Sequence, residues 1–485
     1  MIVGTMQHSN TIICIGAGNH ESASKSEAIA KKYKTEFQFV YDGGDIKNGV
    51  YHTSVYDYEL RRLLELKNVS FVCLDDSVTA YNDEYDFHNS CMFVSQASSS
   101  GFYVEYIDES FKNDFYNVIA NNKAICVMPW IAIHKSNRGD NSCCIQSGFD
   151  SIDLVKDKML NGVQHETCNF CYDLEKQNAI SARINYSAYW SQKLGINTLD
   201  DLVSQKEIKY FDLRLSNKCN AMCRICGPSS SNLLDKEFHK LGFVDKSIGI
   251  TTTKFITKEQ IHSASRLYFA GGEPLIHEDF ILTLEHLKAE NKLDLEILVN
   301  TNASVLPQRM LDAAKDFTNL QFIISADGIE DQLTYMRWPI KWDKFVETLK
   351  VLDKLAKTKL HFAVVISIYN IARCYETFKW ITDNYPTADV DATPLVSPYS
   401  QQAKFFPNKT LALENIQKIK TLALYIDNNT FASKIDMLEQ QLIESEVDVN
   451  ALREFFKFND ALDVSRNTYL ADYIPELEEC RKYVK

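Results

Sequence analysis

The 485-residue sequence has no run of Lys and Arg of the kind that lies along a nucleic-acid backbone, and its formal net charge is −13. A surface that holds long nucleic acid is basic, so DNA and RNA are disfavoured as partners. No apolar stretch approaches the roughly 18 to 20 residues that span a bilayer; the run at Thr11 to Ile15 is far too short. The first residues lack the charged-then-apolar order of an export signal, and a cytoplasmic location is the resulting expectation. Low-complexity linkers and internal repeats are missing too.

What is present fits a packed protein. The hydrophobic fraction of 45% and charged fraction of 24% lie outside the range of disordered chains. The length exceeds one core of about 100 to 200 residues, so several domains are expected.

Thirteen cysteines without an export signal have no oxidising compartment in which to pair, which points to metal or redox chemistry. Cys219, Cys223 and Cys226 form one tight group; Cys143, Cys144, Cys168 and Cys171 form another. The isolated Cys14, Cys73, Cys91, Cys374 and Cys480 read as small buried hydrophobes.

Apolar periodicity divides the chain. TIICI at 11–15 and Val69 to Leu74 read as strands and Ser22 to Tyr33 as a helix, which makes 1–120 a small α/β domain. Gly16-Ala-Gly18-Asn19 lacks the third glycine of a dinucleotide fingerprint and reads as a turn. From Ala124, an apolar stretch, a polar turn and a strand at Cys143 form a hairpin pattern, followed by a helix at about 152–160 and then Cys168 and Cys171. From 206 to 400, strands FDLRL, RLYFA, LEILV, QFIIS and FAVVI, with a last near Val390 to Val396, alternate with helical runs. Such alternation gives a parallel sheet whose chemistry sits at the carboxyl ends of its strands. The expected fold is α/β: a partial (β/α)6 barrel preceded by a small element at 121–205 and followed by a helical tail, 401–485, for packing or as a lid.

CNAMCRIC at 219–226 follows a strand almost directly and so lies at the reactive edge of the sheet. A [4Fe–4S] cubane normally takes four thiolates, and this loop supplies three, leaving one iron open. With its three- and two-residue spacing the motif resembles that of the radical S-adenosylmethionine (SAM) superfamily. The resemblance implies a [4Fe–4S] cluster on Cys219, Cys223 and Cys226 and SAM chelated at the open iron. Reductive cleavage then gives a 5′-deoxyadenosyl radical that abstracts hydrogen from substrate, with an electron donor such as flavodoxin or ferredoxin as partner. Gly271-Gly272-Glu273-Pro274, after the strand RLYFA, resembles the family's motif for the methionine amino group. Ile225 stands where the family often has an aromatic residue along the adenine. Ser325 and Asp327 fall in a segment similar to the family's SxDG contact with SAM or substrate, and Asn370 is placed near the ribose by the same likeness.

Cys126, Gly139 and Cys144, with Cys168 and Cys171 beyond, resemble the auxiliary iron–sulfur element of SPASM and twitch radical SAM proteins, here ahead of the catalytic motif. Cys143 is an alternative to Cys144, and zinc is an alternative metal for four thiolates. The reading that follows is an enzyme acting on a small molecule, amino acid or peptide. Its rival is a non-catalytic iron–sulfur or zinc protein serving as electron carrier or scaffold.

Overall fold

A computed structural model describes residues 118–119, 122–146, 148, 150–176 and 181–484 and, for the backbone, the strands nearer the N-terminus. The expected helix at Ser22 to Tyr33 and the turn after Gly16 lie outside the described residues.

The chain forms two compact units. The first comprises Met1–Lys123, Cys171–Leu199 and Ile426–Asp436; the second Ala124–Phe170, Asp200–Tyr425 and Met437–Lys485. In the first, β1 (Ile2–Met6), β2 (Thr11–Gly16), β3 (Glu36–Tyr41), β6 (Val69–Leu74) and β7 (Cys91–Phe93) form a sheet in the order β3-β2-β1-β6-β7, while β4 (Ile46–Lys47) and β5 (Val50–Tyr51) pair apart from it. The strands expected at 11–15 and 69–74 are β2 and β6.

The second unit is built on β10 (Tyr210–Arg214), β11 (Arg266–Ala270), β12 (Glu296–Thr301), β13 (Leu320–Ser325), β14 (His361–Ile366) and β15 (Asp389–Pro394), parallel and adjacent in sequence order. Burial alternates along β12, β13 and β14, as the two-residue period of a strand requires. Ile297, Val299, Phe322, Ile324, Phe362 and Ile366 are sealed. The helices between the strands bury their own stripes, including Phe280, Leu284 and Leu287 of Glu278–Ala289 and Phe345, Leu349 and Leu352 of Trp342–Leu355. Phe269 of β11 meets Phe280 with ring centroids 4.9 Å apart. Each such fully buried side chain contributes about 1.5 to 3 kcal/mol. The partly exposed residues between them, such as Tyr268, Asn300 and Ser325, occupy the other face.

The hairpin of β8 (Ala132–Ser136) and β9 (Gly139–Asn141) is not set apart from this sheet, although the sequence pattern suggested a separate element. β8 pairs parallel with β10, His134 opposite Asp212, and β9 pairs antiparallel with β8, so the hairpin forms the edge of the same sheet. The tail is drawn in as well. Helix Val449–Arg466 buries Leu452, Phe455, Phe456 and Leu462, and Leu462 packs with Leu234 and Phe238 of the helix that follows the three-cysteine loop.

Candidate functional site

Leaving β10, the chain turns through Ser216 and Asn217 into the loop of Cys219, Cys223 and Cys226. Asn217 pins the turn through Nδ2 to the carbonyls of Pro228 and Gly249, while its Oδ1 accepts from Thr251 N. The next helix, Asn232–Lys240, holds the loop from its own N-terminus. Asn232 Oδ1 accepts from Cys219 N at 3.0 Å, and Ser231 both caps the helix and donates to Ala221 O at 2.7 Å. A helix start needs such acceptors for its free N–H groups, and here the cap also fixes the cysteine loop.

Gly271 and Gly272 explain themselves by contact. Both have positive φ, and a Cβ on Gly272 would lie 2.2 Å from Lys218 O while one on Gly271 would lie 3.1 Å from Ser216 O. The backbone of the glycine pair therefore lies against the stem of the cysteine loop, and Glu273 N donates to Lys218 O at 3.0 Å. Only glycine combines that φ with that approach.

Glu273 is buried and hydrogen-bonded within the protein. Its Oε1 accepts from Leu275 N and Thr301 Oγ1, and its Oε2 from Asn302 N at 2.7 Å. Burial pushes its carboxyl up to about 7, against the pull of these donors. Asn302 in turn donates to Asn220 Oδ1 at 2.8 Å and approaches Cys219 Sγ at 3.9 Å. Glu273 thus links the end of β12 to the cysteine loop.

Asp327 and Asn370 are likewise inward. Asp327 accepts from Arg337 Nε at 2.8 Å and from Val365 N at 2.9 Å. Asn370 donates to the carbonyls of Asp327 and Val365 and accepts from Ser367 N. Neither lines the cavity at the cysteines, nor do Ile225, Glu273 and Pro274, whereas Gly271, Gly272 and Ser325 do. Glu273, Asp327 and Asn370, for which the sequence suggested ligand contacts, each make hydrogen bonds within the protein.

The cavity holds about 570 Å³ and opens onto Cys219, Cys223 and Cys226 together with Cys144 of the hairpin. Burial pushes the Cys219 thiol up to about 12. Cys223 and Cys226 share a hydrogen bond that lowers the first and raises the second. Arg337, which no motif marked, stands beside them. Burial opposes its charge, but Asp327 and the two thiols outweigh that and hold the guanidinium above its ordinary range. A cation there favours thiolate over thiol.

Thiol donors, one short of a closed cubane, with glycine backbone against their loop, suit an iron–sulfur cluster. Among the described residues, the one group of three His, Cys, Asp or Glu ligand atoms within 4.8 Å is Asp150, His165 and Glu166.

A second thiol region lies on the hairpin side of the same unit. Cys143 is influenced by Cys144 first and by Cys126 as well, which raises its thiol. The turn at Cys143 is sutured to the turn at Cys168 by side chains. Ser142 N donates to Gln146 Oε1, Gln146 Nε2 donates to Thr167 Oγ1 at 3.0 Å, and Thr167 Oγ1 meets His165 Nδ1 at 2.9 Å. Cys168 N closes the turn on His165 O, and Gly148 leaves the room that Thr167 fills. Cys171 is buried, which raises its thiol, and belongs to the other unit.

Residues 213–381 match the model of the Radical SAM superfamily. The match supports that superfamily for this chain. The chain is 26% identical over 155 residues to "Probable GTP 3′,8-cyclase" of Methanocaldococcus jannaschii, covering 31% of this chain and 46% of that protein. It is also 26% identical over 161 residues to "Molybdenum cofactor biosynthesis protein 1" of Dictyostelium discoideum, covering 32% of this chain and 24% of that protein. The similarity thus spans less than half the length of either relative. Among solved structures, native anSMEcpe with bound AdoMet is similar at 17% identity over 42% of this chain and 59% of that one, with a TM-score of 0.30. Streptococcus suis SuiB bound to S-adenosylmethionine is similar at 12% identity over 58% and 53%, with a TM-score of 0.27. No helix among the described residues is long and apolar enough to cross a membrane.

Proposed function

We propose that this chain is a radical SAM enzyme that carries out hydrogen abstraction in the cavity bounded by Cys219, Cys223 and Cys226. The observation that carries this reading is the contact of Gly271 and Gly272 with residues 216–218, which brings the two ligand-binding motifs together at the strand ends. When bound, a [4Fe–4S] cluster with one open iron supplies the electron that cleaves SAM to methionine and a 5′-deoxyadenosyl radical.

The chain's own residues do the rest. Cys219, Cys223 and Cys226 bind the cluster, Arg337 balances their negative charge, and Glu273 and Asn302 fix the loop to β12. Gly271 and Gly272 offer backbone to the methionine end of SAM, and Ser325 offers a hydroxyl from β13. Asp327 and Asn370 act at one remove, Asp327 by orienting Arg337 and Asn370 by holding the chain after β14.

Cys126, Cys144 and Cys168 belong in this reading to an auxiliary iron–sulfur site, in the manner of SPASM and twitch proteins. The suture through Gln146, Thr167 and His165 supports it, since it preorganises two of the thiol-bearing turns. Cys144 also lines the cavity, which would bring such a site within reach of a substrate radical. Cys171 is the fourth ligand expected from the sequence. The substrate is a small molecule, amino acid or peptide, and the reductant a flavodoxin or ferredoxin.

Anaerobic reconstitution followed by electron paramagnetic resonance of the reduced protein tests this. SAM should alter the signal of the cluster on Cys219, Cys223 and Cys226, because it takes the open iron. A signal indifferent to SAM, or stoichiometric zinc in place of iron, would favour the carrier or scaffold reading.

A further inference from the structure

The cavity is lined by three guanidiniums, Arg138, Arg214 and Arg337, and by the imidazole of His134, but by no Asp or Glu. This is an inversion of the chain's own balance, in which Asp and Glu number 65 against 52 Lys and Arg. Arg337 is accounted for by Asp327 and the cluster thiols. Arg214 is held on one side by Asp212, and Arg138 has no such partner among the described residues.

Arg214 and His134 are placed by the sheet. On adjacent strands His134, Asp212 and Tyr268 stand in register. Asp212 lies buried between His134 Nδ1, 3.0 Å away, and Arg214 Nε, also 3.0 Å away, and Arg214 Nη2 donates to it at 3.1 Å. One carboxylate thus faces a guanidinium and an imidazole. It orients Arg214, whose guanidinium also meets the Tyr268 phenol and still lines the cavity. Arg138, exposed in the hairpin turn, has no carboxylate partner among the described residues. Asn141, nearly fully buried on the same wall, has an Oδ1 without a hydrogen-bond partner. Such an oxygen costs free energy unless a donor reaches it.

We propose that the substrate handled in this cavity carries an anionic group, a carboxylate or a phosphate, held by Arg138 and Arg214, with an N–H or O–H of the same molecule facing Asn141. This rests on the reading of the cavity as the reaction site. Guanidinium is the side chain that grips planar carboxylates and phosphates by paired hydrogen bonds. If SAM were chelated through its carboxylate at an open iron, as the radical SAM reading implies, the two arginines on the hairpin side would remain for another anion. Phosphate and carboxylate differ in charge and shape, and their relative binding tells which the site takes.

The test is calorimetric titration of the anaerobically reconstituted protein, at saturating SAM, with inorganic phosphate, acetate and neutral acetamide. Saturable binding of phosphate or acetate but not acetamide is expected, weakening as salt rises. Arg138→Gln and Arg214→Gln should each weaken it about tenfold or more, while the surface change Lys344→Gln leaves it as it was. Arg214→Gln also unpairs Asp212 and is open to misfolding; Arg138→Gln, in an exposed turn, is the arm free of that concern. Absence of anion binding, indifference to Arg138→Gln, or loss of anion binding on adding SAM would overturn the proposal, the last by assigning the arginines to SAM. Formation of 5′-deoxyadenosine by the same wild-type sample separates the two levels. If it forms without anion binding, only this inference fails; if anions bind and none forms, the radical SAM reading fails instead.

Discussion

Arg224 Nη2 donates to Asp463 Oδ1 at 2.5 Å across 239 residues of sequence. Arg224 sits between Cys223 and Cys226, is wholly buried, and stacks its guanidinium 3.5 Å over the Tyr335 ring. Its remaining donors reach Tyr335 O, Asn459 Oδ1 and Thr468 Oγ1. Met222 N and Arg224 N are bound in turn by the carbonyls of Trp338 and Met336. The helix Val449–Arg466 therefore clamps the cysteine loop from beneath, and Arg466 adds an ion pair to Glu237.

Asp463→Ala leaves Arg224 as a buried charge without its counterion, and removing one partner of a buried pair costs about 3 to 5 kcal/mol. Urea unfolding should show that loss, and iron retained after reconstitution should fall with it. Asp463→Asn, which keeps an acceptor, should lose less of both. Equal iron content in wild type and Asp463→Ala would remove the clamp from the account.

Gly272→Ala forces a Cβ against Lys218 O at a positive φ. The expected result is a folded protein by circular dichroism with reduced iron content and little SAM binding. Gly227→Ala, where a Cβ meets nothing within 4 Å, is the matched control and should bind iron as wild type does. Full SAM binding by Gly272→Ala would show that the contact with residue 218 is incidental.

Glu273 gives a pH signature. Its folded carboxyl titrates near about 7 against an ordinary value of 4.5, chiefly through burial. Between those values the folded chain binds more protons than the unfolded one, so stability falls as pH rises through that window, by about 3 kcal/mol. Below 4.5 both forms are protonated and the penalty is absent. Glu273→Gln should flatten this part of the stability profile, measured by denaturant unfolding from pH 4.5 to 8. An unchanged slope in the variant would place the proton elsewhere.

Cys143 and Cys144 are adjacent but not equivalent. Cys144 is exposed and lines the cavity, whereas Cys143 lies half-buried in the turn. Cys144→Ser is expected to lower the iron bound beyond the first cluster, and Cys143→Ser to leave it near the wild-type level, both read by iron and sulfide analysis. The reverse order would exchange the two ligands.

The sequence made the parallel sheet legible because its strands are short apolar runs separated by helical periods; RLYFA is β11 residue for residue. CNAMCRIC and GGEP were legible because their spacing is chemical. Three features were not. Arg337 and Arg224 carry no motif, since their value lies in partners far away in sequence. The hydrogen bonds that Glu273, Asp327 and Asn370 make within the protein were hidden as well, because polar residues at strand ends look alike in sequence whatever partners they find. The joining of β8 to β10 was hidden because pairing between distant strands leaves no local pattern.

The most direct measurement is 5′-deoxyadenosine released from SAM by the anaerobically reconstituted, dithionite-reduced protein, quantified by liquid chromatography and mass spectrometry. The wild type should form it, and the variant with Cys219, Cys223 and Cys226 all changed to Ala should form none while retaining the iron of the auxiliary site. Release of 5′-deoxyadenosine by the triple variant, or none from a wild type carrying its full complement of iron, would contradict the account.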